Sequence, residues 1–534
     1  MVKAKTELLF EVSWEICNKV GGIWTVISSK TSQLKKHYKD NYICIGPFVA
    51  EKAIGEFEEE PAAKECKGMC KELEDQGIIL HFGKWLIKGE PKVILVDYAN
   101  FRFKTDDLKK ELWDNFKVDS LSSNNPEYNE PIVWAYAVGM VIEKMSQIYD
   151  KKIVAQFHEW LAGPSLLYLK KNNANIATVF TTHATVMGRA LASANIDLFF
   201  KPEGGKKCNI ELMDIDKESY NYHTEGKHLI EKAAAQNSEV FTTVSEITAL
   251  EATHVLGRRP DKVLPNGLDS DKFPTFEEAS IEHRRHRDMI REFIMYYFFP
   301  YYQFDIKDTL FFFLAGRYEL RNKGIDILIK SLAELNHALK RDNFKKTIVV
   351  FFWIPAKVVD IKKDLIENRI FYGGIKNFVQ ENLLAMQDKI TYSVVSRRKL
   401  LKVINKDFLF ELKKKMFGFI KKGTPPVVTH NLVNKRDIII RSFKKFGLNN
   451  SAEDKVKVIY YPVYLTGADG LLDLGYYDAL IGCELGIFPS YYEPWGYTPL
   501  ESAALNIPSI TTDLAGFGMF LQKNASRNNK EGIF

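Results

Sequence analysis

Glu493 and Glu501 stand eight residues apart in Tyr491-Tyr492-Glu493-Pro494-Trp495-Gly496-Tyr497-Thr498-Pro499-Leu500-Glu501. Two carboxylates on one corner are first read as a pair for acid–base work. The apolar run Leu485-Gly486-Ile487-Phe488 reads as a buried strand that breaks at Pro489 and Ser490. A helix is expected to begin near Thr498, with Pro499 at its first position and Glu501 in its first turn. Such a corner lies at the carboxyl end of a strand, where open α/β sheets take ligands. The backbone N–H groups of Gly496, Tyr497 and Thr498 would face an anion there.

Three further loops carry related chemistry. Arg317 and Lys323 lie six residues apart, across a strand end and the start of a helix. Two fixed cations there would neutralise a diphosphate leaving group, as a metal does elsewhere; two plain surface cations would have the same spacing. Gly21-Gly22 lets a backbone approach a ligand closely, or is a plain turn. Thr181-Thr182-His183-Ala184-Thr185, followed by Arg189, ends another strand, where a lone histidine serves either structure or a ligand.

The elements that hold these loops alternate. Strands are expected at Leu8 to Val12, Tyr42 to Ile45, Lys92 to Asp97, Ile153 to Phe157, Ala177 to Thr182 and Val240 to Val244. Helices are expected over Trp24 to Leu34 and from Pro131 to Tyr149, with Pro131 at the first position. Repeated βα units with polar residues at the strand ends predict a parallel, doubly wound sheet. The turn Pro265-Asn266-Gly267-Leu268 closes this first domain, 1–268. A second α/β domain, 269–534, has strands at Thr309 to Ala315, Thr347 to Ile354, Val456 to Tyr461, 485–488 and Ser509 to Thr512, and a helix over Ile325 to Lys340. Residues of about 357–441 break the rhythm. They are basic and helix-prone, without a clear strand, and read as an inserted helical pair.

At 534 residues the chain is too long for one core. A net charge of +6, from 74 basic and 68 acidic residues, does not call for a nucleic acid partner. Arg397 to Lys422 holds ten Lys or Arg and is read as a solvated helical face. No run of apolar residues is long enough to span a membrane, and Met1 to Glu7 has no apolar signal core, so a cytoplasmic protein is expected. Cys66 and Cys70 lack a second ligand pair at zinc-finger spacing, so the six cysteines are read as reduced thiols.

Taken together, the motifs resemble the glycogen synthases of animals, fungi and their archaeal relatives. The matching stretches are Asn18-Lys19-Val20-Gly21-Gly22-Ile23, Phe157-His158-Glu159-Trp160-Leu161-Ala162-Gly163, Phe180 to Thr185, Phe241-Thr242-Thr243-Val244-Ser245, Leu264 to Leu268, Ala315-Gly316-Arg317-Tyr318-Glu319 with Asn322-Lys323-Gly324, and Tyr491 to Glu501. The resemblance implies a GT-B fold, two Rossmann-like domains facing a central cleft, and glucose transfer from UDP-glucose to an α-1,4-glucan with retention of configuration. By the same resemblance Arg317 and Lys323 hold the donor diphosphate. Glu493 contacts the transferred glucose and Glu501 the nucleotide ribose, which replaces the acid–base reading of that pair. Gly496, Tyr497 and Thr498 give N–H groups to the phosphate, His183 and Asn266 lie near the glucose, Arg189 is needed for activity, and Tyr476 stacks on uracil. No metal or other cofactor is implied.

The family continues well past Gly532-Ile533-Phe534, so a C-terminally truncated form is expected. The region 357–441 matches the part that joins subunits in the family, which implies a homotetramer. Donor choice rests on base contacts such as Tyr476. The same residues would serve an enzyme using ADP-glucose or a small sugar acceptor, and a non-catalytic glucan-binding subunit would share the fold.

Overall fold

The computed structural model describes residues 6–120, 123, 125–199, 207–397 and 406–524. Two compact units emerge. The first holds Met1–Lys272 together with Tyr491–Tyr497 and Asp513–Ala525; the second holds Phe273–Ser490 and Thr498–Thr512.

The first unit is built on strands β1 (Leu8–Val12), β2 (Tyr42–Pro47), β3 (Phe57–Glu59), β4 (Ile79–Trp85), β5 (Lys92–Asp97), β6 (Ile153–His158), β7 (Ala177–Thr182), β8 (Val240–Thr243) and β9 (Lys262–Val263). They form one sheet in the order β3-β4-β5-β2-β1-β6-β7-β8-β9. From β5 to β9 every pairing is parallel, while β3 and β4 add an antiparallel edge. Strand alternation divides the core in two. Leu8, Phe10 and Val12 face a cluster with the helices Pro126–Ile148 and Glu159–Lys171; Leu9 faces a second cluster with Ile23 and Ile27 of the helix Gly22–Tyr38. Glu11 shares the face of Leu9, so a carboxylate is buried under the helix Gly22–Tyr38.

The second unit contains β10 (Leu310–Ala315), β11 (Ile348–Trp353), β12 (Val358–Ile361), β13 (His430–Leu432), β14 (Val456–Tyr461), β15 (Leu485–Phe488) and β16 (Ser509–Thr511). Five of these make a wholly parallel sheet, β14-β11-β10-β15-β16. Continuous apolar runs such as Ile348-Val349-Val350-Phe351-Phe352-Trp353 suit a strand covered on both faces, and each residue of β11 is buried. The helix Ile325–Arg341 buries Ile325, Leu328, Ile329, Leu332, Ala333 and Asn336, the spacing of one helical stripe.

Two sequence expectations are corrected. Pro131 does not open its helix: Asn125 caps it by accepting from the N–H of Glu127, Pro126 takes the first position, and Pro131 lies inside. The Asn-Pro cap outcompetes the later proline because it satisfies an otherwise unpaired N–H. The inserted region does contain strands. β12 and β13 pair antiparallel at its base, and the helices Lys363–Glu381, Leu383–Val395 and Lys406–Phe419 lie between them. Stacking of Phe378 on Phe408 at 5.1 Å, with Tyr372 beside Phe419, sets the first and last of these helices antiparallel. Gly532-Ile533-Phe534 lies outside the described residues.

Candidate active site

In the first unit, the helix Gly22–Tyr38 begins directly after Gly21. Its amino terminus is already occupied: Glu15 Oε2 accepts from the N–H groups of Gly21 at 2.8 Å and Trp24 at 2.9 Å. A Cβ on Gly21 would lie 3.0 Å from Glu15 Oε1, so the glycine makes room for a carboxylate of the chain itself. Burial raises the Glu15 carboxyl above its usual range, against these hydrogen bonds and the charge of Arg189. Gly22 packs 3.9 Å from the Tyr497 ring by the same measure.

Three buried glutamates carry the loop after β7. Glu159 Oε1 accepts from the N–H groups of His183 and Ala184 at 3.0 and 3.2 Å. Glu251 Oε1 accepts from Thr185 N at 3.0 Å, and Glu231 Oε2 from Val186 N at 2.8 Å. Burial raises all three carboxyls, that of Glu251 to about 7. Arg189, exposed on the helix Val186–Ser193, is a cation acting on Glu159, Glu251 and Glu15. Glu159 opens its helix at φ +66°, in the left-handed region, a strained position for a side chain with a Cβ.

His183 is buried, and its ring lies 2.9 Å (Nε2 to Nδ1) from that of His158. Together with Lys30, Gln156, Thr181 and Asn266 the two histidines line a cavity of about 180 Å³. The expected pair His183 and Asn266 thus lines one small cavity, whose wall also includes the apolar Val26, Val244 and Leu264.

Tyr491–Tyr497 is part of this same unit. Glu493 is half-buried, and its carbonyl accepts from Gly516 N at 2.9 Å. Ser245 Oγ donates to the Pro494 carbonyl at 2.6 Å and Tyr492 Oη to Glu251 at 3.1 Å. Gly496 has φ +101°, which only glycine adopts without strain. The following helix runs Tyr497–Ala504, one residue earlier than expected, so Pro499 is its third residue. No intrahelical acceptor exists for an N–H there, and proline costs nothing.

In the second unit, Arg317 and Lys323 flank the turn after β10. Arg317 is 68 % exposed and pairs with Glu319 at 3.1 Å. The Lys323 stem passes 3.6 Å from where a Cβ on Gly316 would stand. Glu501 is buried, and both its oxygens accept phenols: Tyr476 Oη at 3.1 Å and Tyr477 Oη at 3.0 Å. Burial pushes the Glu501 carboxyl up, and burial beside this carboxylate raises both phenols. The Tyr477 ring packs on Phe273 at 5.3 Å, and Tyr476 lies 5.2 Å from Tyr477.

Sequence reasoning missed Glu11, Glu15, Glu231, Glu251 and Tyr492. One signal was present: Glu11 interrupts an otherwise apolar strand, and a charge in such a run needs a partner. The glutamates on helices gave none, because helices carry glutamate routinely.

The glycogen synthase family model matches residues 11–534. The chain is 37 % identical over 555 residues to the glycogen [starch] synthase of Neurospora crassa, covering 100 % of this chain and 75 % of that protein. It is 37 % identical over 536 residues to the liver glycogen [starch] synthase of Rattus norvegicus, covering 99 % and 74 %. Among solved structures, the catalytic domain of starch synthase IV from Arabidopsis thaliana superposes with a TM-score of 0.50 at 12 % identity, over 98 % of this chain and 86 % of that one. At that identity the likeness speaks for the fold, two Rossmann-like α/β units of the GT-B type.

Proposed function

This chain belongs to the glycogen synthase family, and we propose that it transfers glucose from UDP-glucose to the 4-hydroxyl at the non-reducing end of an α-1,4-glucan, with retention of configuration. The observation that carries this reading is the family match across residues 11–534, within which Arg189, Arg317, Lys323, Glu493 and Glu501 all stand.

The acceptor oxygen attacks the anomeric carbon from the face the diphosphate leaves. As the bond from carbon to phosphate oxygen breaks, UDP departs with the electron pair and takes the proton of the attacking hydroxyl. Arg317 and Lys323 neutralise the charge that develops on the diphosphate, so the reading needs no metal. One such cation contributes on the order of 3 kcal/mol, about a hundredfold in rate. Backbone N–H groups of Gly496, Tyr497 and Thr498 add to that neutralisation.

Glu493, His183 and Asn266 contact the transferred glucose, and Arg189 assists them. Glu501 binds the ribose. An ionised carboxylate has about four acceptor sites, so two remain for a diol after both tyrosines are satisfied. Tyr476, tethered by its hydroxyl, presents its ring to the base. Gly21 and Gly22 let the backbone approach the donor closely, with the N–H of Gly21 already held by Glu15.

Exposed apolar residues on the inserted helices, among them Leu384, Val395, Phe410 and Phe417, support self-association there as a homotetramer. Light scattering that gives the mass of one chain at every concentration would overturn this. Six unpaired cysteines fit a reducing, cytoplasmic setting.

The function is tested by incubating the protein with glycogen and radiolabelled UDP-glucose or ADP-glucose. Incorporation preferring UDP-glucose is expected. Preference for ADP-glucose defeats the donor assignment, and glycogen binding without incorporation from either makes the chain a glucan-binding subunit.

A further inference from the structure

A hydrogen-bonded chain runs through the first unit from β1 to the loop after β7. The order β1-β6-β7 and the parallel register set Glu11 beside Gln156, and His158 beside Thr181. Glu11 is wholly buried. Its Oε1 lies 2.9 Å from His158 Nε2 and is ion-paired with Lys30, while Oε2 accepts from Tyr42 Oη. His158 Nδ1 in turn lies 2.9 Å from His183 Nε2.

We propose that Glu11 and His158 are positioning residues that lock His183 as the tautomer protonated at Nε2, leaving Nδ1 as an acceptor for a sugar hydroxyl. An ionised carboxylate only accepts, so the proton between Glu11 and His158 is on His158 Nε2. A neutral imidazole with its proton there has a bare Nδ1, which must accept from His183 Nε2. A neutral His183 with its proton on Nε2 has a bare Nδ1 in turn. Each charge state agrees. Burial works to raise Glu11, but Lys30 and His158 prevail and hold it at about 2. Burial, with the charge of Lys30 added, lowers both histidines against the opposing pull of Glu11, which favours their neutral forms; for His183 the charge of Arg189 acts in the same direction as burial.

The consequence lies in the cavity of about 180 Å³ that His183 shares with Gln156, Thr181 and Asn266. The other tautomer would set two bare nitrogens, His183 Nε2 and His158 Nδ1, against each other at 2.9 Å and would present a donor at Nδ1 in place of an acceptor. That the hydroxyl belongs to the glucose rests on the function proposed above; the tautomer does not.

The test uses the full chain labelled with ¹⁵N-histidine, His183 being assigned by the signal lost in His183→Gln. Imidazole nitrogen shifts distinguish the tautomers in the free protein. The expected result is His183 protonated at Nε2 and neutral from pH 8 to pH 6. In His158→Phe the tautomer should become mixed, and kcat should fall at least tenfold with KM for the donor less affected. His158→Gln, whose amide can donate to Glu11 and accept from His183, should restore both. If His158→Phe fails to fold, the isosteric Glu11→Gln replaces it, with mixed tautomers expected because an amide can donate back to His158. A wild type protonated at Nδ1 overturns the proposal, as does a folded variant whose His183 is unchanged. Absence of glucosyl transfer by the wild type overturns the function instead, and leaves the nitrogen shifts to decide the tautomer.

Discussion

The hydroxyl of Tyr492 donates to Oε1 of Glu251 at 3.1 Å, joining the helix Glu246–Val255 to the segment that carries Glu493. The same oxygen accepts from Thr185 N at 3.0 Å and Thr185 Oγ1 at 2.6 Å. One carboxylate therefore sets both the loop of His183 and the neighbour of Glu493. Tyr492→Phe removes a hydrogen bond to a buried carboxyl, which costs roughly 1 to 2 kcal/mol. Activity should fall about tenfold, and steady-state kinetics beside a melting curve would show whether the loss is local.

Glu251 also predicts a pH dependence. Burial pushes its carboxyl up from 4.5 to about 7, against the bonds from Thr185 and Tyr492 and the charge of Arg189. Between those values the folded unit keeps a proton that the unfolded chain releases. The stabilisation is complete below about 4.5 and is lost as pH rises through about 7. Glu15, Glu159 and Glu231 act in the same direction. Urea midpoints of the wild type and Glu251→Gln, followed from pH 5 to pH 8, isolate its share, on the order of 3 kcal/mol. Parallel curves for the two proteins would refute it.

Arg317 should separate activity from stability. It is 68 % exposed, and its ion pair with Glu319 at 3.1 Å lies at the surface. Arg317→Ala should therefore change stability by less than about 1 kcal/mol. If Arg317 holds the leaving diphosphate as proposed, turnover should drop about a hundredfold. Arg317→Lys keeps the charge without the planar fork and should lie between them.

Gly324 predicts the reverse, a stability defect behind an activity defect. It holds φ +65°, and a Cβ there would lie 1.9 Å from the Pro489 carbonyl oxygen. Neither the conformation nor the space can absorb a methyl group. Gly324→Ala should cost on the order of 3 kcal/mol, read as a lower melting temperature, with Lys323 displaced in consequence.

The chain's own residues dictated much of this. Runs such as Leu310-Phe311-Phe312-Phe313-Leu314-Ala315, short and bounded by polar turns, read as strands buried in a sheet, and the amphipathic stripe of Ile325–Arg341 reads as a helix packed on one face. Arg317 and Glu493 stand out as candidates in the sequence because each follows a strand pattern that breaks into a polar turn, and Lys323 and Glu501 by their spacing from them. Pro131 misled because one proline looks like another until the cap at Asn125 is seen.

What tertiary structure alone decided is which distant residues meet, and in what charge state. Glu11 and His158 are 147 positions apart, and Tyr492 and Glu251 are 241 apart. Local propensity says nothing about such pairs, since parallel register and strand order, not sequence distance, set them side by side. Burial then does the rest. Away from water a carboxylate is held charged where a cation pairs with it, as Lys30 does with Glu11, and without one keeps its proton to higher pH even among hydrogen-bond donors, as at Glu251. Residue type fixed that these groups can titrate; the fold fixed at what pH, and against whom.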